Sequence, residues 1–160
     1  MKRKTKRNDA LARLCAGLLA LVLLLSLCPV ALAAESSISI KTLAELETFA
    51  KRCSSDSYSK GLTVTLTADI DARGRAVSVP IFLGTFDGQG HKITGLCLTE
   101  SNSDYGLFSR IEEDAEVKNL TVEGEITPAG TQSVIGGIAG ENRGTIRDCR
   151  FSGVIIGGSS

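Results

Sequence analysis

The stretch Gly84-Thr85-Phe86-Asp87-Gly88-Gln89-Gly90-His91-Lys92-Ile93-Thr94-Gly95-Leu96-Cys97-Leu98 decides the fold, because the apolar spacing at its end recurs twice further along the chain. Ile93, Leu96 and Leu98 read apolar-x-x-apolar-x-apolar. Val117, Leu120 and Val122 repeat that pattern 24 residues on, and Ile146, Cys149 and Phe151 repeat it 29 residues after that. A unit of this size buries only one side of itself, so it acquires a core by stacking on its neighbours. Gly-rich turns precede the two later units, Gly106-Leu107-Phe108-Ser109 and Gly137-Ile138-Ala139-Gly140, as corners require where backbones approach closely. Stacking of equivalent positions would place Gly95, Asn119 and Asp148 in one column, and these residue types tolerate a left-handed bend. The outward columns beside it are Cys97, Thr121, Arg150 and Thr99, Glu123, Ser152. Neither forms a ladder of one residue type, which argues against a flat threonine array despite Thr63, Thr65 and Thr67.

Upstream of the repeat the chain alternates. Leu62, Val64, Leu66 and Ile70 are interleaved with threonines, the period of a strand with one buried face. A second apolar segment, Val77 to Leu83, contains Pro80, which lacks a ladder donor and predicts an edge strand or a bend. Ser36 to Ile40 reads as a short strand. Thr42-Leu43-Ala44-Glu45 is a capping box, and Leu43, Leu46, Phe49 and Ala50 follow at helical spacing, predicting an amphipathic helix over 43–52. Ser54 to Gly61 is polar and ends it. A helix at this place serves as a cap, since an open coil end would expose core and strand edges. The expected fold is all-β: a short parallel β-helix (solenoid) over 62–160, preceded by a strand and capping α-helix over 35–61.

Residues 1–34 read as a signal peptide. Lys2, Arg3, Lys4, Lys6 and Arg7 form a basic start, Leu18 to Leu27 an apolar stretch, and Ala31-Leu32-Ala33 a small-residue cleavage site. The rival is an uncleaved anchor, because Leu14 to Ala34 carries no charge and is long enough to span a bilayer. Either way the remainder is placed outside the cytoplasmic membrane, secreted or on the cell surface. Of 18 basic and 18 acidic residues, the leader holds six and one, leaving 12 against 17 and a net charge of −5. An acidic exported domain has no basic stripe for phosphates, so nucleic-acid partners are disfavoured. Cys53, Cys97 and Cys149 remain after the leader; three is odd and no Cys-x-x-Cys occurs, so neither a complete disulfide framework nor a zinc site is expected. Cys149 reads as a small core residue and Cys97 as an outward thiol.

Phe86-Asp87-Gly88-Gln89-Gly90-His91 through Leu96, Gly106-Leu107-Phe108-Ser109, Val117 to Val122 and Gly136 to Cys149 together resemble the GLUG-motif repeat family. The resemblance spans about residues 38–156. It implies an exported or surface-attached bacterial protein with a right-handed parallel β-helix of the pectate-lyase-like kind. The structural motif residues it marks are Phe86, Asp87, Gly88, Gly90, His91, Gly106, Leu107, Asn119, Gly137, Gly140 and Cys149. Ser109 departs from the family pattern, where glycine stands. The chain stops at Gly157-Gly158-Ser159-Ser160 with no visible cap, so a truncated or fragmentary chain is an open alternative.

The resemblance also implies a fold that hosts polysaccharide lyases and hydrolases, which makes the acids candidates for catalysis. Asp69 and Asp71 flank Ile70 and should face outward together, as a Ca²⁺ pair or an acid/base pair across a sugar bond. A solvated pair is the simpler reading. Asp87, in a Gly-flanked turn, is expected to accept backbone N–H groups, with a lateral catalytic role as the alternative. His91, the only histidine, could act as a base paired with Asp87, but with no Ser, Cys or second ligand at a recognisable spacing it reads as a turn histidine oriented by its neighbours. Glu112, Glu113, Asp114 and Glu116 read as a solvated loop. No cofactor is called for. The expectation is a non-catalytic extracellular module for glycan or surface-protein partners; the alternatives are a carbohydrate-active enzyme and a structural fragment that self-associates through its open C-terminal coil. With no Trp and only Tyr58 and Tyr105, a sugar-stacking platform is thin.

Overall fold

The computed structural model describes residues 36–55, 57–99, 104–127 and 134–157. The expected leader, with Cys15 and Cys28, lies outside the described residues. Strand β1 (Ser37–Ile40) leads into helix α1 (Leu43–Arg52), the two elements expected there. The capping box is formed on both sides. The Thr42 hydroxyl accepts the Glu45 N–H at 3.3 Å, and the Glu45 carboxylate accepts the N–H groups of Thr42 at 3.1 Å and Lys41 at 2.9 Å. Lys51 and Arg52 occupy the last turn, where the helix dipole favours positive charge. Thr42→Ala is expected to lower stability by about 1 kcal/mol, read as a shift in the urea midpoint.

The helix buries Leu46, Phe49 and Ala50 against the start of a parallel β-solenoid of about four turns. Its first sheet stacks β1, β2 (Thr63–Leu66), β5 (Thr85–Asp87), β9 (Glu116–Lys118) and β13 (Thr145–Arg147). The second stacks β3 (Ile70–Asp71), β6 (Lys92–Leu98), β10 (Thr121–Ile126) and β14 (Arg150–Ile155), and the third β4 (Val79–Phe82), β8 (Phe108–Ile111) and β12 (Ala139–Asn142). Two short strands, β7 (Asp104–Tyr105) and β11 (Val134–Ile135), pair beside the third sheet. Every pairing is parallel. Strand β4, which holds Pro80, lies at a sheet edge as its missing donor requires.

The core is a set of columns. Ile38, Val64, Phe86, Val117 and Ile146 stack in the first sheet, and Ile70, Ile93, Val122 and Phe151 in the second. An aromatic run passes from the cap inward: Phe49 lies 6.2 and 6.3 Å from the rings of Phe82 and Phe86, which lie 5.2 and 5.3 Å from Phe108. These four rings are buried. Ser59, fully buried, closes the segment after the helix by accepting the Leu83 N–H at 3.0 Å.

The stacking corrects half of the repeat alignment. Val117, Leu120 and Val122 do align with Ile146, Cys149 and Phe151, since Val117 pairs with Ile146 and Val122 with Phe151. Ile93 stacks on Val122, however, and Val117 stacks on Phe86, so the coil before is offset by 29 to 31 residues rather than 24. The two triplets look alike but lie differently. Val117-Leu120-Val122 spans a corner between two sheets, whereas Ile93-Leu96-Leu98 lies on β6 alone, its extra residue absorbed by a bulge where the register shifts. Gly95, at φ 65°, is that bulge and nests on Arg73 and Gly74 of the coil before. It therefore leaves the column with Asn119 and Asp148, which keep the left-handed corner at φ 52° and 53°. Gln89, also at φ 52°, makes the bend in the preceding coil.

Candidate functional site

The polar residues singled out from sequence gather along the corner between the first and second sheets. Asp87 leaves β5 into the Gly88-Gln89-Gly90 turn, and its Oδ1 accepts the Gln89 N–H at 2.9 Å, as expected of a turn carboxylate. The same oxygen accepts the Asn119 side-chain amide at 3.0 Å from the next coil, and the Lys118 Nζ stands 3.8 Å from Oδ2. Gly88 lets the chains approach this closely: a Cβ there would lie 2.9 Å from Leu120 Cα and closer still to the Asn119 carbonyl. Asp87 is thus a clamp between two coils.

His91 turns away from Asp87. Its Nδ1 lies 3.0 Å from Asp69 Oδ1, which also accepts the Lys92 N–H at 3.0 Å, so the histidine and Asp69 tie β6 to the start of β3. Asp71 is exposed, and its Oδ1 accepts the Arg73 N–H at 2.8 Å in its own turn. Asp69 and Asp71 are both exposed on either side of buried Ile70, and each is engaged in its own local hydrogen bonds. Among the described residues, no group of three or more His, Cys, Asp or Glu side chains could hold a metal ion.

Two acids of the loop, Glu112 and Glu116, are paired with cations of their own coil and of the last one. Glu112 stands 3.5 Å from Arg110 and 3.6 Å from Arg143, Glu116 stands 2.6 Å from Arg147 and 3.1 Å from Lys118, and Arg110 reaches Glu141 at 3.0 Å. Nothing short of the coil register brings residues about 30 positions apart together this way.

These contacts set the acidity of the carboxyls. The Lys92 N–H, then the His91 ring, hold Asp69 below the ordinary carboxylate range. Arg147 and then Lys118 do the same for Glu116. Burial, the largest single effect on Asp87, pushes it up, but Asn119, Gln89 and Lys118 together outweigh burial and leave it lowered. A general acid in glycoside hydrolysis needs the opposite, a carboxyl raised toward neutrality. Carboxylates with lowered folded pKa values bind fewer protons than in the unfolded chain. Their stabilisation is full above the unfolded value near 4 and is lost as pH falls through the folded values. The urea midpoint is accordingly expected to drop below about pH 4, with a shallower drop in Asp87→Asn.

Burial pushes the Cys53 thiol up to about 11, against a weaker opposing effect of the Ser59 hydrogen bond, and it raises Cys149 as well. Cys149 is half-buried and donates to the Arg147 carbonyl at 3.3 Å, a packing role. Cys97 is half-buried rather than fully outward. All three are free thiols. Phe86 and Leu107 are core, and a Cβ at Gly137 would run into the Phe151 ring. Gly106 sits buried at its corner and Gly140 within β12.

No protein-family model matches the chain, and no solved structure does. A stretch of Halomucin from Haloquadratum walsbyi does. It is 29% identical over 141 residues, covering 77% of this chain and 2% of Halomucin. The chain thus spans a small fraction of the relative it matches.

Proposed function

We propose that the protein is an exported, non-catalytic β-solenoid module of the GLUG-motif kind, which stands at the cell surface and offers its lateral faces and turns to glycan or protein partners. The observation that carries this reading is the use of the candidate acids: Asp69, Asp71, Asp87 and Glu116 each accept hydrogen bonds that fix a turn or join adjacent coils. The basic and apolar leader supports export, and the match to a short stretch of a very much longer protein supports a modular unit. Among the described residues no helix is long and apolar enough to cross a membrane. The test is to express the full chain in a secreting bacterial host, label intact cells with a membrane-impermeant amine reagent, and apply the released protein to immobilised acidic and neutral polysaccharides and surface-protein extracts. Labelling with saturable retention on one matrix is the expected result. A protein protected from the label in intact cells would sink the surface assignment.

A further inference from the structure

The corner between the third and first sheets is built to different lengths in successive coils. Two residues, Leu83 and Gly84, join β4 to β5, whereas four, at 112–115, join β8 to β9. The extra length is a turn closed by the Ala115 N–H on the Glu112 carbonyl at 3.2 Å, with Asp114 in the left-handed region at φ 65°. It leaves Glu113 and Asp114 exposed. On the other side of the short corner stands the segment between α1 and β2. Its Lys60 and Gly61 are exposed, and the N–H groups of Lys60 and Leu62 are held in turns by the Ser57 and Ser59 carbonyls at 3.2 and 3.1 Å.

The short corner therefore lies in a slot between two longer segments. Strands β2 and β9 flank β5, so the walls stand two strand spacings apart, about 9.6 Å. Within a sheet that is the room one extended chain takes between its two neighbours. A hollow of about 410 Å³ opens here beside Gly84, and a second of about 450 Å³ lies on the side of the third sheet, with Leu83 and Glu113 lining both. Each falls in the size range of small-ligand clefts.

The lining selects a ligand. Leu62 and Leu83, both half-buried, supply aliphatic surface, and Thr63 and Thr85 supply hydroxyls at the first-sheet end. Lys60 belongs to one wall, Glu113 and Asp114 to the other. In the second hollow the charges answer one another, since Glu112 stands 3.5 Å from Arg110 and 3.6 Å from Arg143. Lys60, Glu113 and Asp114 enter no side-chain hydrogen bond or ion pair among the described residues. A polyanion would meet two like charges here on an exported part that is already net acidic, and a cationic segment would leave Lys60 facing like charge. A sugar hydroxyl suits both walls, because it donates to a carboxylate and accepts from an ammonium.

We propose that this slot binds a short run of neutral polysaccharide, laid along the Leu83–Thr85 corner with its hydroxyls between Lys60 and the Glu113–Asp114 turn and its C–H faces on Leu62 and Leu83. The assignment rests on the surface-module reading and names the ligand class and the place. The test is titration calorimetry of the secreted protein with dextran, galactomannan and hydroxyethyl cellulose as neutral probes, and with polygalacturonate and oligolysine as charged ones. The chains compared are the natural one, the double variant Glu113→Gln with Asp114→Asn, Lys60→Gln, and the control Arg150→Gln on the second sheet. Circular dichroism and the urea midpoint verify folding, and asparagine tolerates the left-handed backbone of position 114. The expected result is binding of a neutral probe that the double variant weakens at least about tenfold, that Lys60→Gln also weakens and that Arg150→Gln leaves intact. Neutral binding unchanged in the folded slot variants would overturn the slot as the site and leave the surface-module reading standing. Binding of polygalacturonate or oligolysine alone, or of no probe, would overturn the neutral ligand, while the labelling of intact cells decides the wider reading separately.

Discussion

Phe86→Ala is expected to lower the free energy of unfolding by about 4 kcal/mol, a large part of the total for a domain of this size. The ring is fully buried, between Val64 and Val117 in its column, and touches three other rings: Phe49 of the cap at 6.3 Å, Phe82 at 6.2 Å and Phe108 at 5.3 Å. Truncation removes its burial and opens a cavity that stacked strands cannot close, because each strand is held at a fixed spacing by hydrogen bonds on both edges. The cap loses its anchor at the same time. Phe151→Ala in the last coil is expected to cost about half as much, since that ring is already partly in water. Urea unfolding followed by circular dichroism reads both, and equal losses would contradict the end-to-end gradient of burial.

Gly84→Val is the second large effect, about 3 kcal/mol or more. A Cβ at Gly84 would lie 2.5 Å from the Ser59 carbonyl and nearer still to that of Leu62, and both are backbone atoms that cannot swing aside. The cause is the corner between the third and first sheets, where Gly84, Ala115 and Gly144 follow one another as Glu116 donates to the Gly84 carbonyl and Thr145 to that of Ala115. Coils touch there through main chain, so at Gly84 a side chain meets the backbone of Ser59 and Leu62. Gly157→Ala serves as the comparison, because nothing lies within 4 Å of its Cβ position and its backbone is not left-handed. It should leave the urea midpoint unchanged, and a loss like that at Gly84 would mean that glycine content in general, not the close approach, governs stability.

The fold was legible in the sequence wherever a local signal carried it. The capping box from Thr42 to Glu45, the threonine alternation from Thr63 and the Pro80 edge each arise from residues in contact within a few positions. The register of the coils was only half legible. Three apolar residues on β6 carry the same spacing as three that round a corner at Leu120, and sequence spacing does not distinguish a bulged strand from a bend. The polar corner followed the same logic. The turn around Asp87 is a local signal, but its Asn119 partner is 32 residues away, and the Asp69 partner of His91 lies across the coil, so spacing alone names neither. Once Phe86 is stacked on Val117, Asp87 falls beside Lys118 and both contacts follow.

Whether these acids hold coils together or act on a substrate is the central question, and release of new chain ends answers it most directly. The secreted protein would be incubated with acidic and neutral polysaccharides, with and without Ca²⁺, and both reducing and unsaturated ends counted beside Asp69→Asn, Asp71→Asn and Asp87→Asn. A structural role predicts no ends above the buffer control in any sample, with Asp87→Asn altered in acid stability alone. Ends released by the natural chain and lost in any of the three variants that remains folded would contradict it and make the corner an active site.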